Sequence, residues 1–197
     1  MPSRIHFLVS CRTLGSGLIL AALLLPVGTF ANNLHLIEAL PNGFAIYRTG
    51  KPDADDLAEI RELGVSEMVV LSGNADKHES EHLDVYPELK VVYNEKQSTQ
   101  RLPDDEFLDW FDSWVEQARR EGRKIAFRCN CGCHRTGRLA AYYQMKWQNL
   151  SLEDALIIMN NHGKRMGWYP TLPDQVRDLQ VRIENQQGSA AVPSARR

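Results

Sequence analysis

Apolar positions come in short bursts along the chain, and their spacing switches between strand and helix several times. Residues 44–48 (Phe44, Ala45, Ile46, Tyr47, Arg48) are rich in β-formers and are stopped by Gly50, Lys51 and Pro52. Asp53, with Asp56 three residues on, offers an N-cap to a helix whose stripe is Leu57, Ile60 and Leu63, and Gly64 ends it. The continuous run Met68, Val69, Val70, Leu71 predicts a strand buried on both faces, and residues 89–93 predict another. After Pro103 the helical pattern is strongest. Phe107, Trp110, Phe111, Trp114, Val115 and Ala118 share a face, Asp104, Asp105 and Glu106 occupy the first turn, and Gly122 is the stop. Ile125, Ala126 and Phe127 make a further short strand, which leads through a loop into a helix from about Thr136 to Trp147. Ser151 with Asp154, and Thr171 with Pro173 and Asp174, start two more helices. Strands alternating with helices predict an α/β fold, a central mostly parallel sheet flanked by helices.

The N-terminal pattern is of another kind. Arg4 and Arg12 precede an apolar run over 14–30, and Thr29 and Ala31 are small, which is the layout of a signal peptide over residues 1–31 cleaved after Ala31. The chain is therefore expected to be exported, to a periplasm or outside the cell, without stable membrane insertion after processing. The remainder is expected to form one domain over 32–185, followed by a flexible tail over 186–197. Loss of Arg4 and Arg12, with no acid removed, takes the formal charge from −2 to about −4. That balance argues against a nucleic-acid or anionic-membrane partner.

Four cysteines occur, and after removal of Cys11 the other three lie within five residues. An exported domain stapled by disulfides would spread an even number along its length, so this cluster points to local chemistry. The segment is Cys129-Asn130-Cys131-Gly132-Cys133-His134-Arg135-Thr136-Gly137, between a strand and a helix. Loop amides from Asn130, Cys131, Gly132, Cys133 and His134, with the positive end of the helix, would converge on one point. There they would hold a phosphate or stabilise the thiolate of Cys129. Arg135 would add a forked pair of donors, and Thr136 a hydroxyl for the sulfur. No metal and no cofactor are required. Cys129, Cys131, Cys133 and His134 are suitable metal ligands in type, but no second pair of ligands completes a structural zinc site. A sulfurtransferase resembling rhodanese would need its arginine where His134 stands.

The segment resembles the Cys-x5-Arg-Ser/Thr phosphate loop of the protein tyrosine and dual-specificity phosphatase superfamily, with Gly132 and Gly137 where that loop has glycines. Residues 47–52 and the helix and strand after them look like the opening of compact dual-specificity-like members. Thr136 to Tyr143, with Ser151 to Ala155, look like their closing helices, so the likeness covers about 43–183. It implies a phosphomonoester hydrolase in which Cys129 is the nucleophile, Arg135 binds the phosphoryl group and Thr136 assists the sulfur. A phosphorylated protein or a small phosphorylated metabolite would be the substrate.

Two departures bear on mechanism. Arg128 stands where the family usually has histidine, and a cation there would be expected to favour the thiolate. The family's general acid lies roughly thirty residues before the nucleophile, and 32 residues back is Gln97. Asp104 is the first choice for that role, with Asp105 or Glu95 instead, around a polar loop over 94–102 that could move over a site. Helix-dipole compensation alone also accounts for Asp104 and Asp105. Cys131 or Cys133 could close a protective disulfide with Cys129, or simply pack in the loop. His134 could touch substrate or pack, Arg138 is expected to be solvated or salt-bridged, and Tyr142, Tyr143 and Trp147 belong to the core. A phosphate-binding module without turnover would use the same cradle. The run Gly132 to Gly137 also resembles the loop of atypical members that cleave inositol pyrophosphates.

Overall fold

The computed structural model describes residues 33–82 and 84–190, so the expected leader over 1–31 and the last seven residues lie outside the described residues. Five strands, β1 (His35–Ala39), β2 (Ala45–Thr49), β3 (Glu67–Val70), β4 (Lys90–Asn94) and β5 (Lys124–Arg128), form one sheet in the order β1-β2-β5-β3-β4. β2, β5, β3 and β4 run parallel, and β1 pairs antiparallel with β2. The expected class, a mostly parallel sheet flanked by helices, is the observed one. β1 is the strand that periodicity missed: it is a five-residue edge strand whose register slips between Leu36 and Glu38, so its apolar positions do not alternate cleanly.

Burial on both faces explains the continuous apolar runs. Phe44, Ile46, Val69, Leu71, Ile125 and Phe127 face one core, while Ala45, Tyr47, Met68, Val70 and Ala126 face the other. α1 (Ala54–Glu62) covers the second face through Leu57 and Ile60. α2 (Asp105–Glu121), α3 (Arg135–Trp147), α4 (Leu152–Asn161) and α5 (Leu172–Ala190) cover the first. The expected caps are present. Asp53 and Asp56 form a reciprocal capping box, the Asp104 carboxylate accepts from the Phe107 amide, Ser151 accepts from Asp154, and Gly122 ends α2 with φ +69°. α5 corrects the expected boundary at Gln186: it continues to Ala190, and the Gln186 side chain accepts from Lys146 of α3 at 2.9 Å. Tyr142 and Tyr143 are buried and Trp147 packs against them.

Phe111 is fully buried between α2 and the sheet. Its ring centroid lies 5.8 Å from Trp114, 5.9 Å from Phe127 in an edge-on arrangement, and 6.1 Å from Phe107. β5 therefore leaves the sheet at its carboxyl end from a rigid base, flanked by β2 and β3, where open parallel sheets place their sites. Phe111→Ala is expected to remove about 3–5 kcal/mol of stability, read as a lower urea midpoint with an unchanged slope.

Candidate active site

The chain leaves β5 at Arg128, turns through 129–134 and enters α3 at Arg135. His134, at the N-cap position, makes no capping hydrogen bond, so its side chain does not compete with an anion for the first-turn amides. The turn depends on Gly132, whose φ is +66° and whose missing Cβ would lie 2.8 Å from the Thr49 carbonyl and the Gly50 nitrogen. Its carbonyl is tied from below by Arg48 Nη2 at 2.6 Å and Asn33 Nδ2 at 3.0 Å. The Asn130 carbonyl accepts from the Lys51 amide at 3.0 Å. With these carbonyls bound on the sheet side, the opposite side of the loop is left to its donors.

Cys129 lies at the base, 1% exposed. Its thiol is held well below the ordinary range, first by a hydrogen bond from the Cys131 thiol, then by the hydroxyl and amide of Thr136 and the charge of Arg135, against the opposing effect of burial. The Thr136 hydroxyl is buried with no other partner. Cys131 moves the other way: donating to Cys129, together with burial, raises its pKa, so it stays a protonated donor. Arg135 donates to the Leu71 carbonyl at 2.8 Å and keeps its Nε buried and unpaired. All three cysteines are free thiols. The Cys133 sulfur faces the Cys131 carbonyl at 3.1 Å and lies 3.9 Å from Asn33 Nδ2, while the Cys131 sulfur accepts from the Cys133 amide at 3.2 Å and lies 3.6 Å from His134 Nδ1.

A cavity of about 420 Å³ opens above the loop. Cys129, Asn130, Cys131, His134 and Arg135 form its floor, and Thr99 contributes one wall. The opposite rim comes from the α4–α5 connection: Lys164, Arg165, Trp168 and Tyr169. His134 fastens that rim, donating from Nε2 to the Lys164 carbonyl at 2.7 Å and packing on the Tyr169 ring at 3.8 Å between centroids. Arg165, itself at φ +55°, lies over the Trp168 ring at 4.8 Å, and Trp168 is 71% exposed.

Arg128 and Arg138 lie otherwise than expected, and the candidate acids lie away from the cradle. Arg128 does not face the thiol; it is fully buried in a two-point ion pair with Glu79 and bonds Ser72 Oγ and Asn74 Oδ1 at 3.0 Å each. Its charge is matched by Glu79, and its effect on the loop runs through Asn74, which donates to Asn130 Oδ1 at 2.9 Å. Arg138 is not solvated but 1% exposed, bonded to the Arg101 carbonyl and Gln175. The carboxylates are not brought to the cradle. Asp104 caps α2, Asp105 pairs with Arg182, and Glu95 accepts from Tyr93 at 3.3 Å. None of them lines the cavity over Cys129, and among the described residues that lining contains no carboxylate. Gln97 is also turned away, its side chain on the Tyr93 hydroxyl at 2.7 Å.

Sequence reasoning missed Asn33, Arg48, Glu79 and the rim. Arg48 carried a signal: it is the one charged residue of a five-residue strand that is buried throughout. Burial pushes its pKa down to about 10, and the nearby Cys129 is the main group acting to hold it charged. Beside it, His162 is pushed down to about 4 by burial and by Arg48.

Two outcomes follow from this geometry. Because the depressed pKa keeps Cys129 a thiolate to lower pH, Thr136→Val should shift the pH profile of inactivation by iodoacetamide to higher pH. Glu79→Ala should cost about 3–5 kcal/mol by leaving Arg128 buried and unpaired, with most of that recovered in Arg128→Met/Glu79→Leu, measured by urea unfolding.

The sequence matches the dual specificity phosphatase, catalytic domain, family over residues 46–180. Among curated proteins no relative matches. Solved structures show the same fold at low identity. TpbA of P. aeruginosa, as a variant in complex with pTyr, aligns with a TM-score of 0.56 at 20% identity, covering 82% of this chain and 99% of that one. Tk-PTP in its active form gives 0.57 at 20%, covering 76% and 97%. The core catalytic domain of the PP-IP phosphatase SIW14 from S. cerevisiae, in complex with citrate, gives 0.56 at 16%, covering 80% and 94%. The family match takes in β5, the loop and α3 together with the elements that hold them, and the chain belongs to the dual-specificity phosphatase family of cysteine-dependent phosphatases.

Proposed function

We propose that this phosphatase hydrolyses phosphomonoesters through a cysteinyl-phosphate on Cys129, with phosphotyrosyl protein as its substrate. The observation that carries the mechanism is the depressed, buried thiol of Cys129, set beside Arg135 at the uncapped start of α3. The Cys129 thiolate attacks phosphorus in line, and the bond to the ester oxygen breaks as the sulfur–phosphorus bond forms. Arg135 and the amides of 130–134 hold the equatorial oxygens, whose charge grows in the transition state. Water then attacks phosphorus and releases orthophosphate, and Thr136 stabilises the departing thiolate. The aryl preference is supported by the aromatic rim of Trp168 and Tyr169, by the pTyr bound to the TpbA variant, and by a cavity lining that among the described residues has no carboxylate. A phenolate leaves with a conjugate acid pKa of about 10, far better than a serine or threonine alkoxide, so it departs with less help from an acid. Export rests on the leader pattern of residues 1–31.

A second reading has its own support. Lys164 and Arg165 add two cations to a cavity that already holds Arg135, and the SIW14 domain shares the fold. An inositol pyrophosphate would suit that charge, and its phosphoanhydride also provides a stable leaving group.

The test is phosphate release from p-nitrophenyl phosphate by the reduced domain, followed by competition among phosphotyrosyl, phosphoseryl and pyrophosphorylated inositol substrates. Cys129→Ser should fall to background, and Arg135→Lys should lose at least about 100-fold in kcat/KM. The phosphotyrosyl peptide should be preferred. Equal rates in wild type and both variants would end the mechanism, phosphate binding without turnover would favour a binding module, and preference for the inositol substrate would favour the second reading.

A further inference from the structure

Among the described residues, Arg138 is a buried cation without a carboxylate partner. It lies three residues after Arg135 on α3, and burial, with the neighbouring charge of Arg135, pushes its pKa down to about 10; Cys129 is the group that opposes this. Its Nη1 donates to the Arg101 carbonyl at 2.7 Å and to the Gln175 side-chain oxygen. Gln175, 5% exposed in the first turn of α5, donates from Nε2 to the Thr99 carbonyl at 3.1 Å and to the Thr171 hydroxyl at 3.1 Å. A third tie lies one step along the same segment. The Gln97 amide donates to the Leu71 carbonyl at 3.1 Å, and that carbonyl also takes Arg135 Nη1. Backbone groups at 97, 99 and 101 are thus fixed to the Leu71 carbonyl that Arg135 shares, to α5 and to α3, and Thr99 between them forms a cavity wall.

Burying a guanidinium opposes folding unless its donors are satisfied, and Arg138 Nε is buried and unpaired. An apolar side chain would fill the space at lower cost, so the cation is retained for what it holds. We infer that Arg138 and Gln175 form a latch that fixes segment 97–101 against the phosphate cradle, and that both are positioning residues for phosphoryl transfer. The inference rests on the reading of Cys129 as the nucleophile. The latch sets the Thr99 wall of the cavity, and a shift of about 1 Å there is enough to lower the rate about 100-fold. Within the polar 94–102 loop, residues 97, 99 and 101 are each held by a hydrogen bond.

The experiment compares Gln175→Ala, Arg138→Met and Arg138→Lys in the leader-free protein. Gln175→Ala should lower kcat on p-nitrophenyl phosphate about tenfold or more, while inhibition by orthophosphate changes less than twofold, because the cradle is intact. Its Cys129 alkylation profile should stay where it is, since no charge is lost. Arg138→Met should lower kcat similarly and move that profile to higher pH, because a cation near the thiolate is gone. Arg138→Lys should bring the profile back while kcat stays low, because an ammonium cannot reproduce the guanidinium's geometry toward both acceptors. Hydrogen exchange gives a readout that needs no turnover: the Gln97 amide should exchange faster in Gln175→Ala than in wild type. If wild type lacks turnover, that exchange difference still supports the latch while the phosphatase mechanism fails. Unchanged kcat and unchanged exchange in Gln175→Ala overturn the latch, and so does a loss of kcat matched by an equal loss of orthophosphate binding. If Arg138→Met does not fold, Gln175→Ala decides alone.

Discussion

The carbonyl of Gly132 is turned away from the cavity and held there by the Arg48 guanidinium and the Asn33 amide, and the site depends on that orientation. A loop that cradles an anion must point its donors one way, so its carbonyls need partners on the other side. Here those partners come from β2 and from the residues before β1, both remote in sequence from the loop. Gly132 can face them because it alone tolerates φ +66° with the Thr49 and Gly50 backbone so close. Parallel pairing of β2 with β5, which sets Thr49 beside Arg128, brings that backbone to the loop. The sheet is therefore part of the site, and the fully buried α2 face behind it supplies the rigidity.

Charge around the thiol is arranged by depth. Arg128, next to Cys129 in sequence, is neutralised by Glu79 and reaches the loop only through Asn74 and Asn130. Arg48 and Arg138 are buried without a carboxylate among the described residues, and the thiolate is the negative charge that favours their ionised forms. Arg135 lies between these layers, with a donor unpaired toward an incoming anion. A positive site deprived of a fixed counterion both lowers the thiol pKa and favours a dianionic phosphate. Cys131 completes the set as a neutral donor beside the sulfur.

Most of the scaffold was legible because its signals are local. Asp53, Asp104, Ser151 and Gly122 mark helix ends through bonds within a turn, and runs such as Met68 to Leu71 carry their burial in their composition. The loop was legible for the same reason, since Cys129, Arg135 and Thr136 are contiguous with the strand and helix that shape it. Its supports were not. Asn33, Arg48, Glu79, Gln175 and the rim at 164–169 act across 30 or more residues of sequence, and apart from the strand-interior place of Arg48 no local pattern marked which arginines are buried and paired. Arg128 and Arg138 illustrate this, as two arginines near one cysteine with opposite consequences. Asp104 shows the converse, a carboxylate at a plausible distance in sequence whose position is fully explained by capping a helix.

On the proposed mechanism, phosphorus passes through a bond to Cys129, and the stereochemical course of phosphoryl transfer reports that bond directly, measured on an aryl phosphate made chiral at phosphorus with oxygen isotopes and with an alcohol as acceptor in place of water. Two successive in-line displacements, onto sulfur and then off it, predict overall retention of configuration. Inversion would mean that the acceptor attacks the bound ester directly, with Cys129 no more than a bystander, and would contradict the account.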